Sequence, residues 1–309
     1  MTGPLRPALA LALAALIAAP APCLASGIFS HVLPKTHAKA TADSVKVEAL
    51  AQQVSQALDE RRYVDAGALL DQALATDLKA PVLTTLGAEL LLARGRYADA
   101  LGVFRAEVAD PTQKARALEG AGIALSLLGR SDEALADLKE ATGLDKSLWR
   151  AWNGLGREYD LRRDWPKSRA AYAAAMAAPG ANVAIVLNNR GYSQLLQNQT
   201  DKASADFVAA LGKDPSLASA RTNLRITLAM EGAYDRASMT GVGDDRAAVL
   251  NNVGLTAAMR GDYLQAEKLL NQAIAAKGQY YARAAENLQM SRELASRKDE
   301  APTAVDDPH

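Results

Sequence analysis

Small residues recur along this chain at a fixed interval. Ala66, Ala100, Ala134, Ser168, Ala203, Ala237 and Ala266 follow one another at spacings of 34, 34, 34, 35, 34 and 29 residues. A phase held over seven positions implies one structural unit repeated, each too small to bury its own apolar face and therefore stacked on its neighbour. The stretch from Val186 to Pro215 shows what a unit contains. Leu187, Gly191, Gln194 and Leu195 form one stripe at helical spacing; a polar turn, Gln197 to Asp201, follows; Ala203, Phe207, Ala210 and Leu211 form a second stripe. Asp214-Pro215 closes the unit, because proline disfavours helix at the residue before it. Each unit reads as a hairpin of two short amphipathic helices.

Counting places so that Gly191 is place 8, every recurrent residue has a mechanical reason. Small residues at places 8, 20 and 27 let two helices approach at the short end of the usual ~8–10 Å range. Bulky residues at places 4, 11, 17 and 24 fill the gaps left on the facing helix. A second glycine, at place 15, ends the first helix by tolerating the left-handed conformation. The best match upstream is Trp152, Leu155, Gly156, Tyr159, Trp165, Tyr172 and Ala175, with Ser168 where Ala is usual; before it come Leu118, Gly122, Leu125, Gly129, Ala134, Leu138 and Ala141. On these residues the chain resembles the tetratricopeptide repeat (TPR) family. The pattern predicts an all-α protein without strands. The resemblance implies a TPR-type α-solenoid, a right-handed superhelix of helix hairpins with a C-terminal capping helix.

Around that array the sequence divides further. Met1 to Ala25 has one cation, Arg6, before an apolar run from Ala8 to Ala19, too short for the ~20 residues that span a bilayer. It reads as a secretory signal cut before Ser26, which makes the mature protein periplasmic in a bacterial exporter. The alternative is an outer-membrane lipoprotein acylated on Cys23, the single cysteine. Residues 26–44 read as a flexible linker and 298–309 as a disordered tail; the three histidines, His31, His37 and His309, fall there, so no metal site is expected. The solenoid is expected over 45–297 in about seven units. The sixth is clipped at 238–246, where Ser238 to Asp244 interrupts the second helix and the next unit arrives five residues early. A cap helix is expected over 280–297, with a polar outer face to shield the last apolar surface.

With 309 residues, 49% of them hydrophobic, the chain is a folded protein. Thirty-five basic residues balance thirty-five acidic ones, which gives no electrostatic reason to expect nucleic acid. No nucleophile, base or phosphate-loop constellation recurs with a fixed partner, so neither an enzyme nor a cofactor is expected.

What remains is the surface of the first helices, which by the resemblance lines a concave groove. Asn189, Asn223 and Asn252 stand at place 6, and Asn153, Asn188 and Asn251 at place 5. A primary amide both donates and accepts, so such a row can pair with the main chain of an extended peptide; the other reading is that these amides bond within their own array. Leu161, Leu196, Met230 and Met259 form an apolar strip at place 13, and Arg150, Arg157, Tyr192, Arg221 and Arg225 could meet a carboxylate. Replacing Asn189 and Asn252 by Ala is expected to weaken partner binding while leaving the melting temperature nearly unchanged.

The stretches L-N-N-R-G-Y-S-Q-L-L and S-A-R-T-N-L-R-I-T-L-A-M-E-G-A-Y-D-R-A, then the clipped helix and L-N-N-V-G, narrow the resemblance. They look like the TPR proteins of the tight-adherence (Flp) pilus assembly system, the TadD type. That resemblance implies an envelope adaptor with a pilotin-like part in assembling a secretin channel, its partners being secretin or pilus assembly components. The alternative is a periplasmic partner-binding subunit of a peptidoglycan or outer-membrane enzyme complex. Membrane attachment is expected only through Cys23.

Overall fold

The computed structural model describes residues 42–300, apart from 77, 79, 240–243 and 278–280. The expected signal segment, Cys23, and most of the linker and tail lie outside the described residues. Among those described there are fifteen helices and no strand. They alternate as first and second helices of hairpins: α1 (Ala42–Asp59) and α2 (Tyr63–Ala75); α3 (Pro81–Ala93) and α4 (Tyr97–Glu107); α5 (Lys114–Leu127) and α6 (Ser131–Leu144); α7 (Trp149–Leu161) and α8 (Trp165–Ala177); α9 (Val183–Leu196) and α10 (Thr200–Lys213); α11 (Ala218–Met230) and α12 (Tyr234–Ala237); α13 (Arg246–Arg260) and α14 (Tyr263–Lys277). A last helix, α15 (Ala282–Glu300), follows alone. The chain divides into two compact units, one ending at Ser193 and the other beginning at Gln194, within α9.

One backbone device turns every hairpin. Place 15 is left-handed in all seven: Gly95, Gly129, Gly232 and Gly261 have φ between 75° and 84°, and Arg61, Arg163 and Asn198 have φ of 58°, 55° and 59°. The residue after it donates its N–H five residues back, as in Arg130 N to Leu125 O and Asp262 N to Ala257 O, at 2.9 and 3.0 Å. These bonds satisfy carbonyls that the end of a helix leaves without partners. The second helix then begins at place 17 in each hairpin.

Inside a hairpin the helices close on a size match. A Cβ placed on Gly122 would stand 2.7 Å from Leu138 Cγ; one on Gly156, 2.6 Å from Tyr172 Cε1; one on Gly254, 2.8 Å from Leu270 Cγ. Each pairs place 8 with place 24, and each bulky partner is buried. Burying a side chain of this size stabilises by roughly 1.5–3 kcal/mol. In the N-terminal unit the core runs through Leu92, Phe104, Leu118, Leu125 and Leu138. In the C-terminal unit it runs through Leu228, Leu250, Leu270 and Leu288, the last contributed by α15.

The sixth hairpin breaks the match. Its place 8 is Arg225 and its second helix, α12, stops after four residues. A guanidinium at place 8 leaves no room for a bulky place-24 side chain on a helix passing over it. Instead Arg225 Nη2 donates to Asp244 Oδ2 at 2.5 Å, and Arg221 Nη1 to Asp244 Oδ1 at 3.2 Å. Asp244 holds place 27, an alanine in five of the other hairpins. An ion triad thus stands where apolar packing closes the rest, and Asp245 caps α13 by accepting from Ala247 and Ala248 N–H.

Candidate functional site: the wall of first helices

Within the N-terminal unit α1 packs on α3, α3 on α5 and α5 on α7, whereas successive second helices make no comparable contact. In the C-terminal unit α11 packs on α13 and α13 on α15 in the same way. The first helices therefore form the tight wall of each unit, and places 2, 5, 6, 9 and 13 lie along it.

The asparagines of this wall are turned on one another. Asn188 Nδ2 donates to Asn189 Oδ1 at 3.2 Å, and Asn189 Nδ2 to Asn153 Oδ1 on the preceding first helix at 3.1 Å. Asn153, Asn188, Asn189 and Asn223 are all 0% exposed. The C-terminal unit repeats the device: Asn287 Nδ2 donates to Asn251 Oδ1 at 2.8 Å, and Asn251 Nδ2 to Asn252 Oδ1 at 3.2 Å. Sequence reasoning missed Asn287, although it lies 36 residues after Asn251, the spacing that separates Asn189 from Asn153. The expectation of an amide row open to a peptide is corrected for Asn153, Asn188, Asn189, Asn223 and Asn251. Two first helices in contact enclose places 5 and 6, and the enclosed amides of Asn153, Asn189 and Asn251 bond across to the facing helix. With its amide enclosed and bonded to Asn153, Asn189→Ala is expected to cost stability. Asn252 alone of the row is half-buried.

Beneath the amides lies a carboxylate hub. Asp160, near the end of α7, accepts from Ser168 Oγ at 2.5 Å, Ser193 Oγ at 2.6 Å and Tyr172 Oη at 2.8 Å, tying α7, α8 and α9 together. Burial pushes its carboxyl above the usual range, while the three hydroxyls and Arg157 pull it back. Tyr192, on α9, has its phenol raised by burial and by the negative charge of Asp160, against the pull of Arg157.

Comparison with solved structures places this architecture. A thermophilic TPR protein of Thermus thermophilus is similar with a TM-score of 0.52 at 20% identity, over 59% of this chain and 98% of that one. PilW, a widely conserved type IV pilus biogenesis factor, is similar with a TM-score of 0.55 at 20% identity, over 68% of this chain and 97% of that one. The fold is the TPR solenoid. No family model and no curated protein matches the chain.

In TPR terms, the arginines expected along the wall separate into two groups. Arg150, only 2% exposed, gives both Nη atoms to the Glu89 carboxylate at 2.9 and 2.8 Å. Arg221 and Arg225 are engaged by Asp244. For these three the expected role of meeting an incoming carboxylate is corrected: each already holds one from its own chain. Arg157 differs. It forms no hydrogen bond or ion pair among the described residues, and its Nε is buried without a partner. Tyr192, half-buried on α9, feels its charge. Leu161, 70% exposed, stands at the end of the same helix. The C-terminal unit offers Leu196, exposed, and Met230, Asn252 and Met259, half-buried. Among the described residues no group of three metal-ligating side chains converges, and no helix is long and apolar enough to cross a membrane.

Proposed function

We propose that this protein is an exported TPR adaptor that holds a partner polypeptide against its first-helix wall during assembly of a pilus or secretin at the cell envelope. The observation that carries the binding reading is Arg157. Its Nε is buried without a hydrogen-bond partner, and Asp160, the carboxylate whose field it shares, already accepts from three hydroxyls, so a carboxylate on a partner would complete its bonding. The Tyr192 phenol stands by as a second donor, so the fitting group is a carboxylate on the partner, with Leu161 available to an apolar neighbour. In the C-terminal unit Leu196, Met230, Asn252 and Met259 supply an adaptable apolar stretch of the kind that accepts a side chain or a helix face.

The assembly role is supported by the resemblance of the fifth to seventh repeats to the TadD type and by the likeness in fold to PilW, a type IV pilus biogenesis factor. Export rests on the charge and length of the first 25 residues.

Affinity capture from envelope fractions with the wild type and with Arg157→Gln/Tyr192→Phe tests the reading. Secretin or pilus assembly proteins are expected on the wild type and lost on the double variant, with helicity unchanged. Equal capture by both proteins would sink the wall as the binding site, and cell-wall enzymes in place of pilus proteins would sink the assembly role. Mass spectrometry of the mature N-terminus decides the anchor, Ser26 meaning plain export and an acylated Cys23 a lipoprotein.

A further inference from the structure

Arg150 does more than fill its own place on the wall. From α7 it passes the intervening first helix, α5, and reaches Glu89 on α3, 61 residues earlier, in a two-point pair. Under this bridge lies Glu119 of α5. It is 4% exposed and accepts the Ala151 N–H of α7 at 2.8 Å. One cavity is lined by Glu89, Glu119, Arg150, Arg116, Gln113 and Thr85. Gln113 Oε1, an acceptor only, is buried on its lining without a hydrogen-bond partner, and so is the Thr85 hydroxyl. A buried carboxylate has no proton to give the Gln113 oxygen; a buried carboxylic acid has one.

We propose that Glu119 carries a proton in the closed array, and that this proton holds together the first helices of three successive hairpins. Protonated, Glu119 accepts from Ala151 with one oxygen and has an O–H to offer into the cavity that Gln113 lines. Glu89 then keeps its two-point pair with Arg150. On loss of the proton to solvent, Glu119 becomes a second buried anion beside Glu89. It is repelled by Glu89 and competes with it for Arg150, while Arg116 of its own helix draws it outward. The bridge from α7 to α3 loosens and water enters.

The charged groups facing Glu119 agree with this direction. Burial pushes its carboxyl above the usual range; Glu89 pushes the same way, and Arg150, Arg116 and the Ala151 N–H oppose. The folded chain therefore binds this proton more tightly than the unfolded chain does. Between the two pKa values closure weakens as pH rises, by up to tenfold in the opening equilibrium per pH unit.

The test is hydrogen exchange of the α3 and α7 amides, with Trp149 emission as a second readout, in the full protein from about pH 5 to about pH 8. After correction for intrinsic exchange, the wild type should lose protection along a one-proton curve. Glu119→Gln, which keeps the acceptor and cannot ionise, should stay protected throughout. Glu89→Gln should move the midpoint down, because it removes the neighbouring negative charge. A flat wild-type profile, a curve that persists in Glu119→Gln, or a midpoint unmoved in Glu89→Gln would each overturn the proposal.

Discussion

Arg225 donates to Asp244 across 2.5 Å, from the place that Gly122, Gly156 and Gly254 occupy in other hairpins. The relationship explains the short α12 without appeal to a weak helix sequence. A large charged group at the point of closest approach excludes a second helix, and a carboxylate placed further along takes over the contact. Removing one member of a mostly buried pair leaves the other uncompensated, which costs about 3 kcal/mol. Asp244→Asn is expected to lose about that much in urea unfolding. The apolar double variant Arg225→Leu/Asp244→Leu should lose less than either single change, giving a large coupling term in a double-mutant cycle. Additive costs would show that the pair is not the device that closes this hairpin.

The amide relay makes opposite forecasts for two asparagines that look alike in sequence. Asn189 is enclosed between first helices and gives its N–H to Asn153, so Asn189→Ala should cost about 1–3 kcal/mol. Asn252 is half-buried at the end of its relay, and Asn252→Ala should stay within about 0.5 kcal/mol. Thermal melts of the two single variants check this; equal losses would mean that exposure does not govern the row.

Gly156 and Gly102 separate packing from propensity. A methyl on Gly156 meets the ring of Tyr172, itself fixed by Asp160, so Gly156→Ala should cost about 1–3 kcal/mol. Gly102, inside α4, has open space around its missing Cβ, and Gly102→Ala should stabilise by about 1 kcal/mol. Denaturation midpoints moving in the same direction for both would contradict the size match between places 8 and 24.

Arg163 turns its hairpin at φ 55°, a conformation that costs an L side chain about 1–2 kcal/mol. Arg163→Gly should raise stability by about 0.5–1 kcal/mol, the relief being partly offset by the greater freedom of glycine in the unfolded chain. Asn198→Gly should gain less, since asparagine tolerates this region better. A loss in Arg163→Gly would mean that the arginine side chain contributes more than its backbone costs.

Much of this was legible in the sequence because repeat geometry is local. The interval between small residues fixes the hairpin, and glycine at place 15 announces the turn; Arg61 and Arg163 conceal it because the chain adopts the same conformation without the residue that usually signals it. The fate of the wall side chains was not legible. Whether an asparagine at place 5 or 6 faces solvent or the adjoining helix depends on how closely two first helices approach, which no single hairpin encodes. The partnership of Arg150 with Glu89 spans 61 residues and skips a hairpin, so no interval in the pattern points to it. Arg157 could be named as a wall cation from its place, but that its Nε is buried without a hydrogen-bond partner, beside an Asp160 already taken by three hydroxyls, emerged only from the packing.

The reach of Arg150 past α5 also changes how the energetics of this array should be counted. Solenoids are commonly treated as beads on a string, each coupled only to the bead on either side. Here a tie between second neighbours joins α3 and α7 across α5, and free energies fitted with adjacent terms alone are expected to assign to three separate repeats a stability that belongs to none of them singly.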